Sequence, residues 1–296
     1  MLGQALFKEC CLQGYDTYCS TRDSATLSFD LLHPHNFSTL LDHCHPDIVI
    51  NAAAVVDLSF CESHPKVCFT INGEAVCVMA DACNARDIAF IHISTDHFFT
   101  DDRALPHSED APMQLLNSYA KSKAHGEACA APFDKTLIIR TNITGFRENG
   151  NKPTFIEWAV NALRKDEPIQ GFDDFFTSTI DTVSFSRALL ELAEKNTYGI
   201  INLASRDVSS KYDFLQALSK AMPDAKAPIL KGSVAGLSPK RAESLGLDVH
   251  KAQGILNQTL PDLQQVITNL LDQEKSFAND QKIHKNNRLN ANEAER

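Results

Sequence analysis

The sequence predicts an α/β protein: a doubly wound, Rossmann-type parallel sheet with a smaller C-terminal substrate domain. Three observations lead to this prediction. Short apolar runs such as residues 88–93 have the composition of strands that are buried on both faces. Longer segments between these runs carry apolar residues at helical spacing. Small polar residues follow several of the runs, at the position where open α/β sheets bind their ligands.

The predicted elements alternate along most of the chain. The residues after Met1 open a helix, and residues 145–175 depart from the alternating pattern. We expect residues 1–145 and 178–206 to form a cofactor-binding domain and residues 146–177 and 207–272 to form a substrate-binding domain. The polar residues 273–296 are expected to be a disordered tail. The predicted strands are 15–20, 47–51, 88–93, 136–140 and 199–203, and the predicted helices are 36–44, 62–86, a segment beginning near 117, 155–163, 181–194, 209–222 and 260–271.

The composition is that of an ordinary soluble protein of 296 residues, with 43% hydrophobic and 22% charged residues. The formal charge of −10 disfavours nucleic acid or an anionic membrane as a partner. The nine cysteines form no Cys-x-x-Cys pair, and we expect reduced thiols in a cytoplasmic protein. The cluster His43-Cys44-His45 near His33 and His35 fits no standard zinc spacing, so the sequence predicts no metal site.

Tyr119 and Lys123 are the candidate catalytic pair. Four residues apart on a helix, their side chains share one face. An ammonium group near a phenol lowers a pKa that is otherwise about 10. Tyr119 would then pass its proton to a carbonyl oxygen that Thr95 holds, while a nicotinamide delivers hydride to the carbon. The alternative is a surface tyrosine and lysine on a solvated helix.

With these residues the chain resembles the extended short-chain dehydrogenase/reductase family, and within it the dTDP-4-dehydrorhamnose reductases and related sugar-nucleotide-binding proteins. The resemblance extends to about residue 270. It implies an NADPH-dependent reductase of a keto group on a nucleotide-linked sugar, with Tyr119 as the acid, Lys123 as its partner and Thr95 as the carbonyl positioner. The resembling segments are Asn51-Ala52-Ala53-Ala54, Val56-Asp57, Cys61-Glu62, Ser94-Thr95-Asp96, Asn117 to Lys123 with Gly126-Glu127, Arg140-Thr141-Asn142, Ser210-Lys211-Tyr212 and Ser244-Leu245-Gly246-Leu247-Asp248.

The cofactor motif of the family is incomplete in this sequence. Gly3 aligns with the last glycine of a Gly-x-x-Gly-x-x-Gly turn, and the preceding strand and two glycines are absent. Because that strand is central in a doubly wound sheet, its neighbours would lose pairing on both sides. We expect the true start to lie upstream, with Met1 an internal methionine. The alternative is a decayed relative with poor cofactor binding.

The remaining cofactor residues are assigned along the first half of the chain. Arg22, beside Ser20 and Thr21, favours NADP over NAD, although Asp23 argues the other way. The resemblance places Asp30 and Leu31 at the adenine and residues 140–143 near the nicotinamide, and it makes Asn72 a support of the active-site backbone. At Asn51, Ala52 and Ala53, small side chains would let the cofactor approach the backbone closely. Tyr119 and Lys123 are predicted to belong to the cofactor-binding set as well as to the catalytic set.

Asp96, His97, Asn142 and Arg241 are the predicted contacts with the sugar nucleotide. Arg241 and its neighbour Lys240 would meet the diphosphate; a solvated cationic pair is the alternative. Two positions depart from the family. His97 replaces a tyrosine, and Asn142 with the next residue replaces an aromatic residue, typically Trp, that packs on the sugar. Both changes lie at the sugar, so the resemblance does not carry over an ordinary rhamnose precursor.

Two other functions use the same features. A non-catalytic NADP- or sugar-nucleotide-binding regulatory protein would keep the fold, and a sugar-nucleotide epimerase or dehydratase would use the same tyrosine and lysine. Intact Thr95, Tyr119 and Lys123 favour the reductase, whereas the incomplete glycine turn favours the regulatory protein. The expected partner is a nucleotide-sugar substrate, and the sequence is compatible with a homodimer.

Overall fold

The structure is a computed structural model, and it describes residues 1–22, 27–99, 105–147 and 152–276. The strands are β1 (Ile48–Asn51), β2 (Ala89–Ile93), β3 (Thr136–Arg140), β4 (Asn142–Thr144), β5 (Ile169–Phe172), β6 (Phe176–Thr177), β7 (Thr179–Asp181), β8 (Gly199–Asn202), β9 (Ser209–Ser210), β10 (Ile229–Gly232) and β11 (Ser244–Leu245). The helices are α1 (Leu2–Leu12), α2 (Phe37–Cys44), α3 (Leu58–Ser63), α4 (Pro65–Phe69), α5 (Ala75–Asn84), α6 (Ser118–Ala130), α7 (Phe155–Arg164), α8 (Thr182–Glu194), α9 (Lys211–Ala221), α10 (His250–Leu256) and α11 (263–276).

A four-stranded parallel sheet forms the centre of the fold, in the spatial order β1-β2-β3-β8. The inner strands β2 and β3 are buried on both faces, as their continuous apolar runs predict. On one face, Ile91 and Ile139 pack with helices α1, α8 and α10. On the other face, Phe90 and Ile138 pack with α2 and α5. The predicted α/β class with a parallel sheet is therefore confirmed.

A separate apolar cluster holds helices α7, α9 and α11 together beside β5. Its buried members include Leu163 on α7, Phe214 on α9 and Leu270 on α11. Residues 247–260 belong to the first core, because Leu256 and Leu260 pack with the central sheet. The sequence-based division puts these residues in the second domain. The division into two domains stays a prediction.

Residues 15–20 are not a strand, and this prediction is wrong. Thr21 and Ser28 form only an isolated bridge nearby. A strand is stable when its backbone groups find partners, and among the described residues none pairs with β1 on its outer side. Ile48 on that edge is 40% exposed. Within the described residues, β1 is therefore an edge strand of the central sheet.

The last helix continues past the predicted end. Helix α11 runs to residue 276, whereas the sequence predicts a disordered tail from residue 273. Two contacts hold this extra turn. Arg164 Nη2 donates to Glu274 Oε2 at 2.8 Å, and Gln273 Nε2 donates to Asp181 Oδ1 at 2.9 Å. Residues 277–296 of the predicted tail lie outside the described residues, as does Asp23.

One pair of cysteines is not reduced in the structure. Cys77 on α5 and Cys129 on α6 form a disulfide, so the prediction of reduced thiols is wrong for this pair. The two residues are 52 positions apart in sequence, and their local spacing contains no signal for the bond. The other seven cysteines are free. In the described part of the chain, no helix has the length and apolar character needed to cross a membrane.

Candidate active site

The candidate site lies where the parallel strands of the central sheet end. Because the strands are parallel, their carboxyl ends meet at one edge. Ser94, Thr95 and Asp96 follow β2, and Thr141 follows β3; all four are buried. The hydroxyl oxygens of Ser94 and Thr141 have no hydrogen-bond partner within the described structure. Two buried hydroxyls without partners at neighbouring strand ends fit a polar ligand at this edge.

Helix α6 begins directly beside these strand ends. Asn117 caps it: its Oδ1 accepts a hydrogen bond from the Ala120 N–H at 2.9 Å. The Asn117 Nδ2 donates to the Lys240 carbonyl at 3.2 Å, which ties the helix start to the segment before Arg241. Glu62 accepts the Ser118 N–H at 2.6 Å. These bonds explain why the first turn of α6 holds a defined position over the sheet edge.

Tyr119 lies in that first turn, next to Thr95. Burial raises the pKa of Tyr119 above its ordinary value, and the nearby Asp96 carboxyl raises it further, whereas the neighbouring Thr95 acts in the opposite direction. The direction is opposite to the one expected from a neighbouring ammonium. Tyr119 is therefore held in its protonated form, which is the form that donates a proton.

Lys123 points to the sheet backbone. Its Nζ donates to the Ile93 carbonyl at 2.7 Å and lies 3.2 Å from His92 Nε2. Burial lowers the pKa of Lys123 to about 8. The pKa of His92 is lowered mainly by burial and also by the nearby Lys123 charge. The His92 Nδ1 lies 3.3 Å from Asn51 Nδ2. A polar chain thus joins Lys123 through His92 to Asn51 at the end of β1. Sequence reasoning missed His92, although it is the one polar residue in the run 88–93.

The predicted sugar contacts form a second polar group beside Tyr119. Asp96 Oδ2 accepts from Asn142 Nδ2 at 2.7 Å, and Asn142 Oδ1 accepts from Thr179 Oγ1 at 2.9 Å. Lys211 Nζ donates to Thr179 at 3.0 Å. Burial raises the pKa of Asp96 to about 7, against the opposing effects of Asn142 and Lys211. Burial also lowers the pKa of Lys211 to about 8. Lys211 lies in the segment Ser210-Lys211-Tyr212, and the sequence alone does not assign it to the site.

His97 and Arg241 complete this group. The His97 ring meets the Tyr119 ring edge-on, with 5.4 Å between centroids. Burial lowers the pKa of His97 to about 4, and the nearby Arg241 and Lys211 charges act in the same direction. His97 Nδ1 and Arg241 Nε are both buried without a hydrogen-bond partner among the described residues. Buried polar atoms of this kind fit a pocket that binds a polar ligand.

The cofactor residues form a less compact set. Gly3 lies in the first turn of α1, and no atom lies within 4 Å of the place where its Cβ would be. The neighbouring Leu2 packs against the same core cluster as Ala52, so α1 starts on the sheet face to which the end of β1 contributes. The Asp30 carboxylate accepts the Leu32 N–H at 3.0 Å. Arg22 is exposed, Leu31 is half-buried and Ala53 is exposed. The grouping of these residues around one cofactor stays a prediction.

Asn72 supports the loop that follows β1, as its family position implies. The side chain accepts the Val55 N–H and donates to the Val55 carbonyl, both at 2.9 Å. It also donates to Ser122 Oγ on α6 at 3.1 Å. Asn72 therefore connects the segment after Asn51 to the helix that carries Tyr119.

Comparisons with known proteins agree on one family. The sequence profile described as "RmlD substrate binding domain" matches residues 1–276. A Haloferax volcanii protein named "Probable low-salt glycan biosynthesis reductase Agl14" is 29% identical over 252 residues, which cover 82% of this chain and 83% of that protein. A dTDP-4-dehydrorhamnose reductase of Aggregatibacter actinomycetemcomitans is 25% identical over 255 residues, covering 81% and 86% of the two chains.

Solved structures show the same fold. A dTDP-4-dehydrorhamnose reductase of Bacillus anthracis, in complex with NADP, superposes with a TM-score of 0.80 at 21% identity, and the match covers 91% of this chain and 93% of the other. A structure described as a hypothetical dTDP-4-dehydrorhamnose reductase of Sulfolobus tokodaii gives 0.77 at 26% identity, covering 89% and 95%.

Proposed function

The chain belongs to the RmlD substrate-binding-domain family, and from this premise we propose that it is an NADPH-dependent reductase of a keto group on a nucleotide-linked sugar. It would be an oxidoreductase acting on CH–OH groups. One observation carries the proposal: buried Tyr119 lies beside Thr95 at the strand edge, with the His97 ring meeting its own ring edge-on at 5.4 Å between centroids. The names of the relatives as sugar-nucleotide reductases support the same reaction class.

The proposed reaction divides the work among the side chains. Thr95 holds the substrate carbonyl oxygen, and the Tyr119 hydroxyl gives its proton to that oxygen as the carbonyl becomes an alcohol. When bound, a nicotinamide cofactor would supply the hydride for the carbonyl carbon. Burial keeps Tyr119 protonated until the oxygen gains negative charge. Lys123 and His92 fix the backbone at the end of β2 and so position Thr95.

The buried hydroxyls of Ser94 and Thr141 make the strand edge a fit for the nicotinamide end of such a cofactor. The residues that would hold the cofactor are those predicted from the sequence. The described chain supplies Gly3 within α1 and not the glycine turn that precedes this helix in the resembling proteins. The proposed set is Gly3, Arg22, Asp30, Leu31, Asn51, Ala52, Ala53, Tyr119 and Lys123.

The sugar side of the site is proposed to consist of Asp96, His97, Asn142 and Arg241, with Lys211 added by the structure. Their contacts with one another support this assignment. At this side of the site, charged or hydrogen-bonding side chains stand where the resemblance leads us to expect an aromatic residue that packs on the sugar of a rhamnose precursor. We therefore propose a sugar with more polar substituents at this position, since buried polar groups require hydrogen-bonding partners.

The first test compares Y119F with the wild type in NADPH oxidation driven by a dTDP-linked 4-keto-6-deoxy sugar. Removing the acid should lower kcat by about 10²- to 10⁴-fold. The NADPH dissociation constant should stay within about twofold, because the ring and its packing remain. Y198F is the matched control, since the Tyr198 hydroxyl lies at the surface, where it donates to Asn196 Oδ1 at 3.5 Å. Undiminished turnover by Y119F would contradict the assigned acid.

A non-catalytic protein that binds NADP or a nucleotide sugar through the same fold is the second candidate function. Binding of a nucleotide sugar without oxidation of NADPH would support that function over reduction. Interconversion of two epimeric nucleotide sugars, again without net oxidation of NADPH, would support an epimerase. The cytoplasmic location and the homodimer remain predictions, which fractionation and light scattering would test.

A further inference from the structure

Three potential metal ligands lie together on a surface formed by α5 and α6. Cys77 is on α5, and His125 and Cys129 lie one turn apart on α6. Their ligand atoms all lie within 4.8 Å of one another. His125 follows Lys123 by two positions, which is about 200° around the helix. The cluster is therefore on the opposite side of α6 from the catalytic lysine.

Two glycines bring the helices close enough for this cluster to form. A Cβ on Gly73 would lie 2.5 Å from His125 Cδ2, and a Cβ on Gly126 would lie 2.4 Å from the Asn72 carbonyl oxygen. Larger residues at these positions would push the segments apart. With glycine at both positions, the Cα atoms of Cys77 and Cys129 are 4.9 Å apart. Both sulfur atoms thus reach the same space beside His125.

We propose that Cys77, Cys129 and His125 bind one Zn²⁺ ion when the disulfide is reduced. Thiolate and imidazole are the ligand types of tetrahedral zinc sites, with Zn–S bonds of about 2.3 Å and Zn–N bonds of about 2.0 Å. Tetrahedral bonds of that length place two sulfurs about 3.8 Å apart. The bonded sulfurs of the disulfide would separate to this distance by rotation of the two side chains. Soft thiolates also favour zinc over magnesium or calcium.

Glu74 supports the assignment of His125 as a ligand. Its Oε1 lies 3.0 Å from His125 Nε2. A carboxylate on one ring nitrogen of a ligating histidine orients the ring and raises the basicity of the other nitrogen. We assign that other nitrogen, Nδ1, to the ion. The His125 side chain is 38% exposed, so an ion can reach the cluster from solvent.

The site would join the two helices that frame the active site. Helix α6 carries Tyr119 and Lys123, and the segment before α5 contains Asn72, which holds the loop after β1. A bound ion would stabilise this arrangement in the reduced protein by mass action. The disulfide connects the same two positions in the oxidised protein, so zinc and the disulfide are mutually exclusive.

The experiment uses Co²⁺ as a spectroscopic probe on the full chain. A phosphine reductant with water converts the disulfide to two thiols and is itself oxidised to the phosphine oxide. After its removal, one Co²⁺ per chain should produce thiolate-to-cobalt charge-transfer bands and tetrahedral ligand-field bands, and Zn²⁺ should displace them. The variants C77S, C129S and H125A should each weaken Co²⁺ binding at least tenfold. C11S is the matched control, because Cys11 is a free, exposed cysteine, and it should bind like the wild type.

Circular dichroism shows whether each variant is folded, and a melting curve provides a second measurement. Zn²⁺ should raise the melting temperature of the reduced wild type and leave that of reduced H125A unchanged. The oxidised wild type should bind no ion. Absence of the cobalt bands in the reduced wild type would overturn the proposal and leave a structural disulfide only. Equal binding by wild type and H125A, or by the oxidised protein, would overturn it as well.

Discussion

Glu127 and Arg140 form a buried ion pair between α6 and β3, the two elements next to the candidate active site. Glu127 is on α6, which carries Tyr119 and Lys123, and Arg140 ends β3, just before Asn142. The Arg140 Nη2 lies 2.8 Å from Glu127 Oε2, and the two side chains are 3% and 5% exposed. The Arg140 Nε also lies 3.1 and 3.2 Å from the two Glu127 oxygens. Replacing Glu127 by alanine therefore leaves a guanidinium group buried without its counter-ion.

The size of the effect follows from this geometry. At 2.8 Å and an effective dielectric constant of about 20, the Coulomb attraction is about 6 kcal/mol. Taking both charges out of water opposes this by several kcal/mol per ion. Removing one partner of such a pair costs about 3–5 kcal/mol, because the other charge remains desolvated. We expect E127A to lower the free energy of unfolding by that amount.

Urea denaturation at pH 7 is the assay. For a protein of this length the dependence of the free energy of unfolding on urea is about 3 kcal/mol per molar, so E127A should lower the unfolding midpoint by about 1–1.7 M. R140M should cost a similar amount. The double variant E127L/R140M removes both charges and keeps apolar volume, so it should cost much less than the sum of the two single changes.

Two results would refute this reasoning. A loss below about 1 kcal/mol in E127A would mean that the pair does not hold α6 to β3. Additive losses in the double variant would mean that the two side chains stabilise the protein independently.

Three further predictions concern Lys123, the glycine at the helix contact and the cofactor. Burial lowers the pKa of Lys123 to about 8, below its ordinary value of 10.5. Between these two pH values the unfolded chain binds more protons than the folded one, so the free energy of unfolding of the wild type, compared with K123M, should rise by about 3 kcal/mol across this window. Parallel pH curves for the two proteins would contradict this. G126A should destabilise the protein by more than about 2 kcal/mol in the urea assay, because a Cβ at this position would lie 2.4 Å from the Asn72 carbonyl oxygen. The control G254A should stabilise the protein by about 0.5–1 kcal/mol, since Gly254 lies in a helix with open space around it. Equal effects of the two changes on the free energy of unfolding would be inconsistent with the clash. R22A should weaken NADPH binding about tenfold in calorimetry and leave NADH nearly unchanged, since only NADPH carries the 2′-phosphate; equal losses would remove the case for NADP.

The helices and strands that could be predicted were those that a short window of sequence specifies through the spacing of its apolar side chains. The run 88–93 contains β2, residues 136–140 match β3, and the helix with Tyr119 follows as expected. A buried strand or an amphipathic helix reveals itself within ten or so residues, because burial selects apolar side chains at a fixed period. The strand predicted at residues 15–20 failed because strand formation also depends on a pairing partner, which lies outside the segment itself.

Contacts between distant residues were not predictable. Lys211 meets Thr179 and influences Asp96, and Cys77 reaches Cys129 over 52 positions. Neither contact leaves a pattern in a short window of sequence. The direction of the Tyr119 pKa shift also depends on the folded state, because burial is its largest cause and outweighs the opposing effect of Thr95.

The sequence by itself determined the α/β class, the order of most elements and the polar residues at the strand ends, since these follow from periodicity and composition along the chain. Only the tertiary structure decided which of those residues share one environment. It joined Asp96, Asn142 and Lys211 in one polar group, turned Lys123 toward His92, and brought two cysteines and a histidine onto one surface. The physical reason is that packing sets distance, burial and charge environment together, and these are properties of the folded molecule rather than of any segment.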